Sequence, residues 1–412
     1  MNKIAEDKLL DSLFTLPAEN NIAGGPALNG LDWDYIRGRF SEEKIPQALL
    51  YRMVKKSGIF GQLPGYLQSD LWQAYLSTFA KNTVHLNEFI RIQSLFEANH
   101  IEVMPLKGMA LLFCVFKDIA LRPMADIDIL IKKEDAQKAD NLLLGSGYTH
   151  NCGPFEYSRI KSDIPVCLDM QYEIWYLKTM SKRRCAMYGI EQIWRDARRI
   201  YLDDGSSAKI MLPEDLLINV AAHAALDHSR PTWIWLNDIA AICRAYKDRM
   251  TWSVLLDKIT SYSLEVPFYR LFKSVKDEFD AEIPQFIIDK LKPGKNKFFE
   301  AKLQDLALKS PAVTWLGHLL RIFTNSRLSG KIRLILFYLF PDKEFMIERY
   351  KIRQKRFVYF YYPLRVIIFI KKTIAVFAVF LWCRKVCSCG AQVKHFHKPS
   401  ENRAEVIAKR FS

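Results

Sequence analysis

Apolar side chains are densest between Ile101 and Ile131, where three predicted elements follow one another closely. Ile101-Glu102-Val103-Met104 alternates and predicts a short strand. Lys107-Gly108 reads as a strand-to-helix turn, and residues 109–116 are apolar enough for a buried helix. Residues 125–131, Ala-Asp-Ile-Asp-Ile-Leu-Ile, predict a second strand. Strand side chains alternate faces, so Asp126 and Asp128 share one side while Ile127 and Ile129 share the other. Upstream, helical patterns cover residues 42–56 and 67–99, with a Gly-rich turn over 58–65 between them. In the second helix Leu71, Tyr75, Phe79, Leu86, Phe89 and Phe96 recur at helical intervals and predict one core-facing stripe.

Downstream, residues 133–144 read as a helix ended by Gly145-Ser146-Gly147. Residues 157–160 and 165–172 read as strands. From 182 to about 327 the pattern is mostly helical, with Pro213-Glu214-Asp215 opening a helix that runs to Leu226. These patterns divide the chain into an N-terminal helical region (1–97), a central core (98–178), a helical domain (179–330) and a basic, aromatic-rich tail (331–412). The fold class is α/β (α+β), a core flanked by N- and C-terminal helical regions.

Composition adds the setting. Half of the 412 residues are hydrophobic and a quarter are charged, as in folded proteins. The first residues carry no apolar run of the kind a secretory signal needs. The eight cysteines are scattered apart from a late cluster, which suits a reducing cytoplasm better than a disulfide framework. The net charge of +15 is uneven: residues 331–412 hold 18 Lys and Arg against 5 Asp and Glu, leaving 42 against 40 in the rest. An anionic partner larger than the substrate must therefore meet the tail.

Candidate chemistry begins with the two aspartates on one face of an otherwise apolar strand. Unpaired, they repel each other and resist burial. A hard divalent cation, Mg²⁺ with Mn²⁺ as the alternative, removes both problems. A third carboxylate, Asp169, sits in the later apolar run Pro165-Val166-Cys167-Leu168-Asp169-Met170 and is expected to complete the metal and catalytic set. Glu173 is the fallback third ligand, four residues on and on the same face. Lys107, Gly108 and Arg122 are candidate phosphate binders: the Gly turn offers backbone N–H groups, Arg a bidentate fork and Lys a point charge. Alternatively Arg122 pairs with Asp118 or Asp126.

These residues resemble those of a known group. Strand, Gly turn, helix, Asp-x-Asp and a later Asp is the pattern of the DNA polymerase β-like nucleotidyltransferase superfamily. More narrowly, Leu106-Lys107-Gly108, Arg122 and Asp126-Ile127-Asp128 resemble the bacterial uncharacterised nucleotidyltransferase family, as does Trp235-Leu236-Asn237-Asp238-Ile239 further on. The likeness covers roughly residues 30–360. It implies a small mixed sheet and Mg²⁺-dependent transfer of a nucleoside monophosphate from an NTP to an acceptor, with a small molecule or biosynthetic intermediate favoured over a polynucleotide. Met109 follows Gly108 where the superfamily turn has Ser or Gly, which supports a second reading, a catalytically degenerate scaffold with a membrane- or partner-binding tail.

Other groupings carry less. His223, Asp227, His228 and Asp238 lack the spacing of a zinc set and suit core or interdomain hydrogen bonds. Trp233, Trp235 and Trp252 read as packing residues. Cys383, Cys387, Cys389, His395 and His397 match no standard zinc pattern. In the tail, residues 366–383 are the most apolar, but Lys371-Lys372 interrupts them, and each central Lys costs about 2.5–3.5 kcal/mol on insertion. Peripheral contact of 331–385 with an anionic membrane at the cytoplasmic face is the expectation, with docking on the body as the alternative. Nucleic acid is a weaker candidate, since no RNA-binding module signature is present.

Overall fold

Pro46 separates the first two helices, α1 (Trp33–Glu42) and α2 (Gln47–Lys56). It occupies the position just ahead of α2, where a residue without an amide hydrogen is tolerated and through which a helix cannot run. The single run expected from residue 42 therefore starts only at Gln47. Gly58 turns the chain with φ +77, and α3 (Gly65–Glu97) follows after one 3₁₀ turn. Ile36, Leu50, Val54, Leu67 and Leu71 form the core of this helical region.

The computed structural model describes residues 30–294 except 43–44, 152–154, 162, 175, 178–185, 203, 228–231 and 280, residues 328–388 except 342 and 353, and residues 6, 319 and 322. The chain divides into two units, one of residues 1–222, 232–262 and 269–291, the other of 223–231, 263–268 and 292–412.

In the first unit, β1 (Val103–Pro105) leads into α4 (Lys107–Cys114), then β2 (Ile127–Ile131), α5 (Ala136–Gly145), β3 (Thr149–His150), β4 (Glu156–Lys161) and β5 (Ile164–Gln171). Gly147, at φ +84, ends the α5 region as the Gly-Ser-Gly run predicts. The strands form one mixed sheet in the order β1-β2-β5-β4-β3, parallel only between β2 and β5. Alternation along β2 and β5 sends Ile127, Ile129, Leu168 and Met170 to a face where they join Phe89, Ile92 and Phe96 of α3 and Leu143 of α5 in a closed core. Each such fully buried side chain contributes about 1.5–3 kcal/mol. The opposite face carries the carboxylates.

A hairpin of β6 (Arg198–Tyr201) and β7 (Ser207–Ile210) joins the sheet region through Lys209, whose ammonium meets Glu102 at 2.8 Å. The helices that follow in this unit include α6 (Pro213–Ala222), α7 (Trp233–Ala245) and α8 (Trp252–Ser261). The α-helix expected to reach Leu226 stops at Ala222 and continues as a π turn over His223–Asp227. Asp215 and Lys258 pair at 2.6 Å, both buried, and tie α6 to α8. Burial raises the pKa of Asp215 although Lys258 pulls the other way.

The described part of the second unit includes α9 (Leu328–Leu339), α10 (Lys343–Arg349) and α11 (Tyr361–Ser388), around a small core of Met346, Ile352 and Val358. Arg365 Nε donates to the Tyr338 carbonyl at 2.6 Å, and the Tyr362 hydroxyl to that of Pro341 at 2.8 Å. Among the described residues, no helix is long and apolar enough to cross a membrane.

Candidate active site

Strand β2 is paired from Ile127 onward, and Asp126 stands exposed in the bend just ahead of it. Asp128, one residue into the ladder, is 4% exposed. Its register partner on β5 is Asp169. Partners on adjacent strands leave the sheet on the same face, so Asp128 and Asp169 lie side by side despite their separation in sequence. Asp169 keeps about a third of its side chain in solvent and accepts a hydrogen bond from Gln171 Nε2 at 2.7 Å. Glu173, the fallback, lies beyond the end of β5.

Lys107 closes the group. Its ammonium is 2.5 Å from Asp128 Oδ1 and 4.0 Å from Asp169 Oδ2, so one cation spans the two carboxylates. Burial opposes charge on both members of the inner pair, with unequal results. It pushes Asp128 up to about 7, an effect that Lys107 reduces and the carboxylates of Asp126 and Asp169 reinforce. It also pulls Lys107 down, but the attraction of Asp128, then of Asp169 and Asp126, outweighs it and holds the amine above its ordinary value.

Lys107 has φ +46, the left-handed region that costs a non-Gly residue about 1–2 kcal/mol. The Leu106 amide donates to the Asp128 carbonyl at 2.9 Å and fixes the turn to β2 at the level of the site. Gly108 follows because nothing larger fits: a Cβ there would stand 2.3 Å from Arg122 Nη1. Arg122 lies across the turn because α7 holds it. Its Nε and Nη2 donate to Asp238 Oδ2 at 3.2 and 3.0 Å, and Nη1 donates to the Pro123 carbonyl at 3.2 Å. Asp238 is fully buried. The partner of Arg122 is therefore neither Asp118 nor Asp126, and two of its five N–H donors are left for a ligand.

Helix α3 supplies the floor. Asn82, fully buried, donates to the carbonyls of Ile119 and Arg122 at 2.5 and 2.9 Å, while Asp118 accepts from the Tyr75 hydroxyl at 3.0 Å. One turn on, His85 is also fully buried, and neither ring nitrogen completes a hydrogen bond among the described residues. Burial lowers its pKa, Lys81 adds to this, and the Pro165 backbone and Asp126 oppose it. Further along, Glu88 accepts from Arg91 and Tyr148, and Phe79, expected inside, is 46% exposed. Asn82 and His85 escaped the reading of residues as chemistry, whereas Asp238 was read as a core or interdomain hydrogen-bonding residue without its partner Arg122. The first two hold helical spacing with Phe89 and Ile92, the one local signal of their burial.

The donor set suits a cation without forming a cage. Among the described residues no group of three or more His, Cys, Asp or Glu is gathered closely enough to hold a metal ion. Two adjacent carboxylates with an open side fit Mg²⁺, which binds through one or two protein carboxylates and takes its remaining ligands from phosphates and water. Of the other groupings, Trp233 packs against Phe279, the ring centroids 5.0 Å apart and the planes tilted by 52°, as a packing residue does. The Asp227 side chain, His228 and the cluster from Cys383 to His397 lie outside the described residues and side chains.

Comparison with known proteins identifies the class. The family described as Uncharacterised nucleotidyltransferase matches residues 29–280, which include every residue of the site. The chain belongs to this family and is a nucleotidyltransferase, an enzyme that moves a nucleotidyl group from an NTP donor. The match stops at 280, short of the 360 expected. No curated protein and no solved structure matches the chain.

Proposed function

We propose that the chain transfers a nucleoside monophosphate from an NTP to a small acceptor, with Mg²⁺ bound by Asp128 and Asp169 and with Asp126 adding negative charge at the exposed edge. One observation carries the reading: Asp128 and Asp169 are register partners, with Lys107 between them at the turn. The acceptor's oxygen attacks the α-phosphorus, the bond to the β-phosphate oxygen breaks, and pyrophosphate leaves. Asp169, the more exposed of the pair, takes the acceptor's proton. Lys107 and the amides at the start of α4 hold phosphate oxygens, and Arg122, fixed by Asp238, keeps the turn in shape and offers its two remaining N–H groups. The metal supplies charge neutralisation on the triphosphate.

Magnesium-dependent calorimetry with each NTP tests this, alongside pyrophosphate release with a cell extract as the acceptor source. Asp128→Asn and Asp169→Asn are expected to lower turnover at least a thousandfold, on the order of 4 kcal/mol of barrier. The open carboxylate set favours a second reading, a degenerate scaffold. No heat with any NTP, and an Asp128→Asn variant indistinguishable from the parent, would establish it.

A further inference from the structure

The second unit leaves an unusual amount of apolar surface in water. On α11 and the residue just ahead of it, Phe360, Leu364, Ile367, Ile370 and Ile374 are between 43% and 74% exposed. Their spacing of four, three, three and four residues is that of one helical face. Through Ile374, α11 has no buried residue at all. On α9, Leu328, Ile332, Leu336 and Phe340 repeat every four residues and are 48% to 73% exposed. Arg365 and Tyr362 bond α11 to the end of α9, so both stripes belong to one body.

Charge identifies the occupant. Residues 328–374 carry 11 Lys and Arg against 3 Asp and Glu. Arg356 is exposed near the stripes, and Lys371, four residues after Ile367, is exposed on the α11 face itself. A second copy of the chain would set this patch against itself in a two-fold interface, like charge on like charge. Nucleic acid would want flat rings to stack on, whereas Leu and Ile dominate both stripes. A bilayer surface with anionic headgroups satisfies both features at once: aliphatic side chains enter the headgroup boundary while Lys and Arg stay among the phosphates. We propose that α9 and α11 dock the enzyme on the surface of an anionic membrane, without crossing it. Lys371 and Lys372, inside the most apolar stretch, fit a helix lying in the interface plane.

The test uses the full chain with vesicles of phosphatidylcholine alone and of phosphatidylcholine mixed equally with phosphatidylglycerol. Sedimentation is expected to recover the protein with the anionic vesicles and not the neutral ones, with the recovery lost in high salt. Lys371→Ala with Lys372→Ala should weaken partitioning roughly thirtyfold, and Ile367→Asp with Ile370→Asp should abolish it. All four residues are on the surface, so both variants should keep the parent's thermal midpoint. Equal recovery with the two vesicle types, or with neither, overturns the proposal. So does an oligomer, or an RNA complex, that the Ile367→Asp, Ile370→Asp variant dissolves while vesicle binding is absent.

Discussion

Gly108→Ala tests how the turn is held. The added Cβ would lie 2.3 Å from Arg122 Nη1 and 3.0 Å from both Arg122 Cζ and Met124 Cγ. Carbon needs about 3.5 Å from such neighbours, so the guanidinium must retreat by about 1 Å. A surface arginine would do so at almost no cost. Arg122 is instead fixed by Asp238, which is fully buried, at 3.0 Å. Breaking a buried pair costs about 3–5 kcal/mol, and stretching it should cost about half of that. Alanine's helix preference returns at most about 1 kcal/mol, and less in a first turn. The net expectation is a loss of about 2 kcal/mol, read as a lower urea midpoint at unchanged slope. In a background carrying Arg122→Ala with Asp238→Asn the obstacle is gone, and Gly108→Ala should be neutral to within about 0.5 kcal/mol. Equal losses in the two backgrounds would show that Met124 or the turn itself, not the arginine, sets the requirement for glycine.

The remaining predictions concern protons and the floor of the site. Asp128 titrates near 7 when folded and far lower when unfolded, so between those values the folded chain holds the extra proton and metal-free stability falls as pH rises. Asp128→Asn should flatten that slope in thermal melts, and the parent's Mg²⁺ affinity, measured calorimetrically, should weaken roughly fivefold from about pH 7 to about pH 6 as protons compete. Glu88 behaves oppositely: burial would raise its pKa, but hydrogen bonds from Arg91 and Tyr148 hold it below the usual carboxylate value. Its stabilisation is present above about 4.5 and lost as pH falls further. Glu88→Gln should therefore cost about 3 kcal/mol at neutral pH and remove that acid limb, monitored by circular dichroism. Asn82→Ala strips a donor from the Ile119 and Arg122 carbonyls. It should cost about 2 kcal/mol and raise KM for NTP, and an unchanged KM would leave Asn82 with a purely structural role.

Much of the core was legible because strand period and burial agree. The alternation around Asp128 and Asp169 locates β2 and β5 to within two residues, but Asp126, expected on the strand beside Asp128, lies in the bend just ahead of it. The pairing of Asp128 with Asp169 was not legible. It depends on β5 returning beside β2 ahead of β4 and β3, a choice of neighbour that no local pattern encodes. The Arg122–Asp238 bond joins residues 116 apart, and the sequence shows the charges without the address. Helix α3 misled for a different reason. A stripe is counted from apolar residues, yet here Asn82 and Glu88 are buried because loop carbonyls, Arg91 and Tyr148 need partners, and His85 is buried beside them with neither ring nitrogen bonded among the described residues. Phe79, correctly spaced, meets water instead.

The three aspartates are graded in depth, and the gradient carries a consequence for how the site can work. Asp126 is exposed, Asp169 keeps about a third of its side chain in solvent, and Asp128 is almost closed off. Ionised together they exceed the single charge of Lys107 by two, in a place where one member is too buried for water to screen it. Such a cluster has two ways to relax. Asp128 can keep its proton, the tendency that its raised pKa expresses, or a divalent cation can supply the missing charge from the open Asp126–Asp169 side. The second route releases Lys107 from neutralising carboxylates and leaves its ammonium for phosphate oxygens. In the proposed reaction the lysine paired with Asp128 would then be the one that meets the substrate, which would account for a strained, left-handed residue at the head of α4 where glycine alone would turn the chain more cheaply.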